Sequence, residues 1–383
     1  MRVLVVRPDG MGDVLLTGPA VRAIAARGAD VTFLAGPHGT GAAALLPGVS
    51  RVLTWRAPWI DPEPGEFDPD GVRSLIDRIG RLSPHAAVVF TSFHQSPLPT
   101  ALALRMAGVP WIAAISEDYP GALLDIRHPP PGNIPEAERN LLLARAAGFE
   151  LPPGDAGRLA VADDLPDGRE LTGDGPYVVV HASASVPARA PSAARTAAIT
   201  AALAAAGHRV IVTGSAAEAA LTAAVCRTAR KTVRRTAGSR TVRETARAGR
   251  VTGRRAALLE LGGRTSLPML AAVLAAADAV VAPNTGAAHL AAAVGTPVVS
   301  LFAPVVPAAR WAPYGVPAIL LGQQDAACAG SRARTCPVSG HPCLDQIDPA
   351  DVVAAVARLS CRDRAGGVAL SGGAALSGAE ALG

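Results

Sequence analysis

Short apolar runs alternate with longer amphipathic stretches along the first half of the chain. "RVLVVR" at 2–7 is typical of a buried strand, the residues after the loop "PDGMGD" at 8–13 are typical of a helix, and "ADVTFLAG" at 29–36 is again strand-like. Strands that alternate with helices form parallel sheets, so this half predicts α/β structure. Further strand-like runs and helical stretches continue the series at 51–55, 71–82, 86–90, 97–108 and 111–115.

The alternation stops and then starts again in the second half. Residues 117–135 contain five prolines, a helical stretch follows at 136–148, and residues 149–175 are rich in Pro, Gly and Asp. We therefore expect a linker and a second doubly wound domain, with ligands binding in the cleft where the carboxyl ends of both sets of strands meet. The second set of predicted strands and helices lies at 176–183, 191–207, 208–215, 266–277, 277–283, 286–295 and 296–302.

The predicted fold class is thus α/β, with two doubly wound Rossmann-like domains that face a cleft. We assign residues 1–165 to the first domain and 166–361 to the second. Residues 362–383 are rich in Gly and have no lasting periodicity, which predicts a disordered tail.

Composition narrows the class of protein. Half of the 383 residues are apolar but only 3% are aromatic, and no apolar run is long enough to span a membrane. The opening residues include Arg7 and Asp9, where a signal peptide would still be apolar. We therefore expect an Ala-rich cytoplasmic enzyme, with a peripheral contact at the inner face of the cell membrane left open.

The formal net charge of +5 comes largely from one stretch, because residues 226–255 hold most of the clustered arginines. We interpret this stretch as a mobile, solvated loop inserted into the second domain. A patch for phosphate, lipid headgroups or nucleic acid is the alternative. No aromatic side chains for base stacking lie between the arginines, so nucleic acid is disfavoured as a partner.

Three of the five cysteines lie close together in the sequence. Cys328, Cys336 and Cys343, with His341 beside the last, could in principle surround a metal ion. The spacing contains no C-x-x-C pair, and the flanks are rich in Gly and Pro. We therefore predict a reduced structural cluster and no metal site.

A polar hinge interrupts the apolar stretch 277–304. Gly286 follows a predicted strand and begins a predicted helix, and the backbone N–H groups at such a helix N-terminus can hold a phosphate. Asn284 and Thr285 could contact the ligand, and His289 lies one turn into the helix. The alternative is that Asn284 or Thr285 only caps the helix and that His289 is a core histidine with its hydrogen bonds satisfied.

The loop at 8–13 offers a similar choice. Gly10 and Gly12 allow a tight turn, and Asp13 stands near the start of the next helix, where it could act as a cap or as a catalytic group. The third glycine of a dinucleotide fingerprint is missing, and no acidic residue ends the second strand, which disfavours a dehydrogenase.

Further candidates follow the first two predicted strands of the second domain. Ser183 and Arg189 follow one strand, and Glu218 follows the other. An arginine in the cleft could pair with a diphosphate, and a glutamate could accept hydrogen bonds from ribose hydroxyls. Each could equally be a surface residue.

Four segments resemble the successive motifs of glycosyltransferase family 9, the ADP-heptose:lipopolysaccharide heptosyltransferase family. They are "VLVVRPDGMGDVLLTGPAVRAI", "TGSAAEAAL", "GRTSLPMLAAVLAAADAVVAPNTGAAHLAAAVGTPVVSLFAP" and "RWAPYG". The resemblance implies a two-domain B-type glycosyltransferase fold, in which the first domain binds the acceptor and the second binds the nucleotide sugar. It covers residues 1 to about 355.

The resemblance also assigns roles. It makes Asp13 the general base, places Glu218 at the nucleoside, and places Thr285, Gly286 and His289 around the donor diphosphate. Arg189 falls near a basic residue that faces the phosphates, although Ala190 and Pro191 stand where the family usually has Trp-Pro. Asn284 stands where the family usually has Asp, which keeps the hydrogen-bonding shape and removes a negative charge.

The expected activity is an inverting glycosyl transfer that needs no metal or other cofactor. The donor would be a nucleotide diphosphate sugar similar to ADP-heptose, and the acceptor a hydroxyl of a glycan or glycolipid. Two alternatives remain at this point: a nucleotide-sugar-binding protein without transferase activity, and a nucleotide-sugar epimerase of similar fold.

Overall fold

The computed structural model describes residues 1–61, 63–237 and 258–364. These residues form two parallel sheets, each built of six strands and covered by helices on both faces. Two doubly wound α/β units are therefore present, as the alternation of apolar runs predicted.

The first sheet has the strand order β3-β2-β1-β4-β5-β6, the order of a Rossmann fold. Every neighbouring pair of strands in it is parallel. The strands are β1 (Arg2–Arg7), β2 (Asp30–Ala35), β3 (Val49–Thr54), β4 (Ala86–Val89), β5 (Ile112–Ile115) and β6 (Ile126–His128). The helices between and after them are α1 (Met11–Leu15), α2 (Gly18–Ala25), α3 (Thr40–Leu45), α4 (Pro69–Leu82), α5 (Leu98–Met106) and α6 (Glu136–Ala146).

The second sheet has the same topology, and its strand order is β12-β11-β10-β7-β8-β9 when listed from the opposite edge. Its strands are β7 (Val178–His181), β8 (Val210–Thr213), β9 (Leu258–Glu260), β10 (Ala279–Pro283), β11 (Val298–Leu301) and β12 (Ala318–Leu321). The helices are α7 (Arg169–Thr172), α8 (Ala193–Ala205), α9 (Ala219–Ala237), α10 (Leu267–Ala275), α11 (Gly286–Ala293), α12 (Ala308–Trp311), α13 (Pro342–Asp345) and α14 (Pro349–Arg364).

The central strands are buried on both faces, which explains why they are apolar at nearly every position. All four residues of β4 and all five of β10 are buried. Leu4 in β1 and Val280 in β10 have no exposed surface at all. The cores are made mainly of Val, Leu, Ile and Ala, with few aromatic side chains, as the composition requires.

The Arg-rich stretch at 226–255 corrects our expectation of a loop. Its first twelve residues, 226–237, belong to α9, which contains no Gly or Pro to end it. Val225, Cys226 and Ala229 are buried in the same helix, so tertiary packing stabilises it in spite of the clustered charge. Residues 238–257 of the stretch lie outside the described residues.

Several short elements were missed from sequence. Strand β6 lies inside the Pro-rich segment 117–135 that we took as a break, and β9 and β12 have three and four residues. Helix α14 runs to Arg364, and the remainder of the expected tail lies outside the described residues. Within the part of the chain that is described, no helix is long and apolar enough to cross a bilayer.

The buried central strand gives a direct test of the fold. Leu4→Ala should lower the free energy of unfolding by about 2–5 kcal/mol, because the cavity left in a fully buried site cannot collapse completely. The matched control is Leu102→Ala, since Leu102 is half exposed and its loss should cost about 0.5 kcal/mol or less. Denaturant unfolding can be followed by tryptophan fluorescence, because three of the four tryptophans lie in the first half. Equal costs for both variants would contradict the placement of β1 at the centre.

Candidate active site at the junction of the two halves

The candidate residues lie at the carboxyl ends of the central strands of both sheets. In each sheet the strand order reverses between two of these strands, β1 and β4 in the first and β7 and β10 in the second, and ligands bind at such points. The loop after β1 carries Asp13, and the loops after β7, β8 and β10 carry the candidates of the second half.

Arg7 ends β1, and its side chain is completely buried among polar partners. Its Nε lies 2.7 Å from Oδ2 of Asp9, and its Nη2 donates to Oδ1 of Asp13 at 2.9 Å. The same Nη2 donates to Oγ of Ser92 at 3.0 Å. Ser92 lies in the loop just after β4, which ends at Val89. One buried cation thus fixes two carboxylates and connects two neighbouring strand ends.

Asp9 is the more deeply buried of the two carboxylates. Burial raises its pKa to about 6, and the neighbouring Asp13 adds to this effect, while Arg7 opposes it. Gln95 donates from Nε2 to Oδ1 of Asp9 at 2.7 Å, which further favours the ionised form. Asp9 therefore helps to hold the loop after β1 in place and does not face the cleft.

Asp13 does not cap its helix, which removes the capping alternative. Helix α1 begins after Gly10, and no side-chain hydrogen bond caps it. The Asp13 side chain is 27% exposed and accepts from Arg7, and Nε1 of Trp311 donates to it from the second half at 3.5 Å. Within the described residues both side-chain bonds end on Oδ1, so Oδ2 is available to a ligand.

The two halves meet where α1 and α11 begin. A Cβ on Gly12 would stand 2.8 Å from Cδ2 of His289 and 3.5 Å from Cα of Gly286. A Cβ on Gly286 would in turn overlap the Met11 side chain. Gly12 therefore leaves room for the His289 ring, whereas a side chain at position 286 would require the flexible Met11 side chain to move.

His289 is buried at this contact, and its Nδ1 has no hydrogen-bond partner in the described structure. Burial lowers the pKa of the imidazole to about 4, and Arg189 adds to this effect, while Asp13 opposes it. His289 is thus a neutral side chain with a free polar atom, which disfavours the alternative of a satisfied core histidine.

Asn284 and Thr285 precede α11. Thr285 occupies the N-cap position, but its side chain makes no capping hydrogen bond. Asn284 is buried, and its Nδ2 also has no partner within the described residues. Unpaired donors at a helix N-terminus favour a ligand over a purely structural role.

Arg189 approaches the same region from the loop after β7. Its Nε has no partner among the described residues. Burial lowers the pKa of its guanidinium, Asp13 opposes this effect, and Arg334 adds to it. The charge of Asp13 raises the pKa of both Arg189 and His289, and the close packing of Gly12 on His289 places the loop that carries Asp13 against α11.

Ser183 and Glu218 form a second group at the ends of β7 and β8. Ser183 donates from Oγ to Oε1 of Glu218 at 2.6 Å, and the backbone N–H of Ser215 donates to Oε2 at 2.7 Å. Ser215 and Glu218 also form a capping box on the 3-10 turn Ala216–Glu218, which leads directly into α9. Burial tends to raise the pKa of Glu218, but these hydrogen bonds outweigh it and lower the pKa. Within the described part of the chain, no hydrogen bond or ion pair joins this pair to Asp13.

A cavity of about 200 Å³ opens on the first-half side of the junction. Gln95 lines it and reaches Asp9, and Phe93 lines it and packs 5.6 Å from the ring of Trp311. Arg310 also lines it and lies 4.6 Å from the centre of the Phe93 ring. A larger cavity, of about 350 Å³, is lined by residues at the amino ends of β1 and β2, away from these groups.

The cysteines are free thiols in the described structure, with Cys328 and Cys343 buried. In the described ranges no group of three or more His, Cys, Asp or Glu side chains is arranged to hold a metal ion. Cys328, Cys336 and Cys343 pack with the apolar residues of the second half.

Sequence reasoning missed the residues that support the site. Arg7 was visible as a charge at the end of an apolar strand, which is a signal for a buried ion pair. Trp311 lies in the family-like segment "RWAPYG", but its contact with Asp13 could not be inferred from that segment, and Gln95 gave no signal, because each reaches the site from a distant part of the chain.

Two parallel Rossmann-like units that meet at the carboxyl ends of their strands have the architecture of the B-type glycosyltransferase fold. The model of glycosyltransferase family 9 (heptosyltransferase) matches residues 97–341, well over half of the chain. The chain therefore belongs to glycosyltransferase family 9. A comparison with curated protein sequences gave no match.

Solved structures show the same fold. The E. coli ADP-heptose lps heptosyltransferase II is 21% identical with a TM-score of 0.67, over 95% of this chain and 100% of that one. A family 9 glycosyl transferase from Veillonella parvula is 14% identical with a TM-score of 0.71, over 94% and 97%. E. coli heptosyltransferase WaaC with ADP-2-deoxy-2-fluoro heptose is 21% identical with a TM-score of 0.60, over 85% and 94%.

The buried imidazole predicts a loss of stability in acid. The pKa of His289 is about 4 in the folded chain and near 6.5 when exposed, so the unfolded state takes up the proton first as the pH falls. The contribution of neutral His289 to the free energy of unfolding is fully present above about pH 6.5. It is lost as the pH falls to about 4, and the loss is on the order of 3 kcal/mol. We expect His289→Asn to abolish this component of the unfolding free energy, measured between about pH 7.5 and 4.5.

The control for this experiment is His38→Asn, because His38 is exposed. This variant should keep the acid-dependent loss of the unchanged chain. An identical pH dependence in His289→Asn and the unchanged chain would mean that His289 is not buried as a neutral group.

Proposed function

We propose that the protein is an inverting, metal-independent glycosyltransferase that moves a heptose or related sugar from a nucleotide diphosphate donor to a hydroxyl of a glycan or glycolipid. The observation that carries this proposal is the close packing of the loop that bears Asp13 on the start of α11, where Gly12 lies against His289. A proton acceptor from one half then lies in the same region as unpaired polar groups from the other, as a transfer between two substrates requires.

The donor diphosphate would lie over the N-terminus of α11. The backbone amides that begin at Gly286 attract an anion, and the unpaired Nδ2 of Asn284 is a further donor. Arg189 supplies positive charge, while His289 acts as a neutral hydrogen-bond donor because its pKa is about 4. These groups would stabilise the departing diphosphate, which is the work that a divalent cation does in other transferases.

The nucleoside would extend towards β8. Glu218 is an ionised acceptor whose lowered pKa suits hydrogen bonds from ribose hydroxyls, and Ser183 orients it. E. coli heptosyltransferase WaaC has been solved with ADP and with ADP-2-deoxy-2-fluoro heptose, which supports a donor similar to ADP-heptose.

The acceptor would occupy the cavity beside Phe93 and Gln95. Its hydroxyl would reach Oδ2 of Asp13, the oxygen that neither Arg7 nor Trp311 uses. Asp13 takes the hydroxyl proton as the oxygen attacks the anomeric carbon and the C–O bond to the diphosphate breaks on the opposite face. Attack from that face inverts the anomeric configuration.

A binding protein without transferase activity is the second candidate, because Asn284 and Ala190 replace residues that are usual in the family. An epimerase would need a second acid or base at the anomeric carbon. Transfer of an isotope from a labelled nucleotide sugar to an acceptor separates the proposed activity from both.

The role of Asp13 can be tested by Asp13→Asn. Loss of the proton acceptor should lower turnover by on the order of 10²–10⁴-fold. Donor affinity, measured by calorimetry on the same preparation, should persist because Asp13 touches the donor at most at its anomeric carbon. Arg7 keeps Asp9 as a partner, so the fold should survive, and the unfolding temperature is the control. Turnover above about a third of the original value would exclude Asp13 as the base.

The diphosphate site can be tested with Arg189→Ala and His289→Ala. Each loses a hydrogen bond to a charged ligand, so each should weaken ADP binding by about 10- to 100-fold, in keeping with roughly 1.5–3 kcal/mol. The matched control is Arg358→Ala, an exposed arginine on α14 whose loss should leave ADP affinity unchanged. Unaltered ADP affinity in both site variants would show that the diphosphate does not bind at this position.

A further inference from the structure

Helix α9 carries an unusual row of positive charge on its outer face. We define the α9 stripe as its five exposed basic residues, which are Arg227, Arg230, Lys231, Arg234 and Arg235. Their spacing is i, i+3, i+4, i+7 and i+8, so they share one side of the helix. The buried residues Thr222, Val225, Cys226 and Ala229 lie on the opposite side, against the sheet and α8.

The helices that carry and support the stripe supply no counter-charge, and the carboxylate next to α9, Glu260 of β9, accepts a hydrogen bond from Thr222 on the buried side of the helix. Helix α9 contains no Asp or Glu, and α8, which packs along it, contains none either. None of the five residues takes part in an ion pair within residues 1–61, 63–237 and 258–364. Like charges at i, i+3 and i+4 repel each other and destabilise a helix, so the stripe works against the stability of α9.

The stripe lies far from the candidate active site. Helix α9 starts just after Glu218 at the carboxyl end of β8 and runs back along the sheet for about 28 Å. Just past the middle of the helix, Arg230 donates from Nη2 to the backbone oxygen of Leu258, the first residue of β9, at 2.9 Å. The stripe therefore begins near the middle of α9 and continues towards the amino ends of the strands, away from the diphosphate site, and donor binding does not explain it.

We propose that the α9 stripe docks the protein on the anionic surface of a lipid bilayer. Five basic side chains on one face of a helix attract anionic headgroups, each contributing separately to the attraction. The helix lies flat on the sheet and α8, so it presents a surface and cannot enter a nucleic-acid groove as a free helix would. Helix α9 also has no aromatic side chain for base stacking. This inference does not depend on the proposed activity.

The test compares two variants of the full chain with the same change in charge. The stripe variant carries Arg227→Gln, Lys231→Gln, Arg234→Gln and Arg235→Gln and keeps Arg230, which bonds the backbone of β9. The control variant changes four exposed arginines on other surfaces to Gln, namely Arg27, Arg51, Arg81 and Arg358. Gln is a good helix former, so α9 should persist. The four substitutions remove like-charge repulsion from α9, so the unfolding temperature of the stripe variant should stay the same or rise.

Binding is measured by co-sedimentation with vesicles of phosphatidylcholine containing about one third phosphatidylglycerol. The stripe variant should partition on the order of 10²-fold more weakly than the unchanged chain, and either half of the substitution, Arg227→Gln with Lys231→Gln or Arg234→Gln with Arg235→Gln, should cost about tenfold. The control should change about threefold or less. Added salt should release the unchanged chain from the vesicles, because exposed charges are screened.

Three results would overturn the proposal. The first is a stripe variant that still binds within about threefold of the unchanged chain, and the second is a control variant that loses as much binding as the stripe variant. The third is binding to a short RNA duplex that is tighter than to the vesicles at equal phosphate concentration and salt, which would make nucleic acid the occupant.

Discussion

The ion pairs of Arg7 are the interaction on which the rest of the site depends. A guanidinium with no exposed surface at the end of a central strand is stable only because Asp9 and Asp13 neutralise it. The same pairs hold the loop after β1 in place, and within the described residues they leave the second oxygen of Asp13 without a hydrogen bond. Loss of either carboxylate therefore affects the position of the other, and the loop is part of the fold as much as of the site.

The second constraint is the direct packing of two helix starts from different halves. Gly12 leaves room for the ring of His289, and Gly286 leaves room for the Met11 side chain. This contact brings the loop that carries Asp13 against the helix whose start holds the unpaired polar groups of the other half. Trp311 adds a hydrogen bond across the same junction, 3.5 Å from Asp13.

The alternation of apolar runs was enough to predict both sheets, because the central strands β1, β4, β7 and β10 are buried on both faces and must be apolar. It could not reveal β9 or β12, since three or four partly buried residues at a sheet edge carry no periodic signal. The charge of the Arg-rich stretch suggested a loop, but burial of Val225 and Ala229 outweighs that charge in α9. Contacts between distant positions, such as Gln95 with Asp9, became visible only once the chain was folded.

The central claim is that Asp13 and the start of α11 act together in an inverting transfer. The most direct measurement is the fate of the labelled sugar of ADP-heptose, or of related nucleotide sugars, when the protein is supplied with a bacterial glycolipid extract and a chelator. The account predicts label in the glycolipid, joined with the opposite anomeric configuration to that of the donor, and undiminished by the chelator. Retained configuration, a requirement for added metal, or label recovered only as free sugar would contradict it.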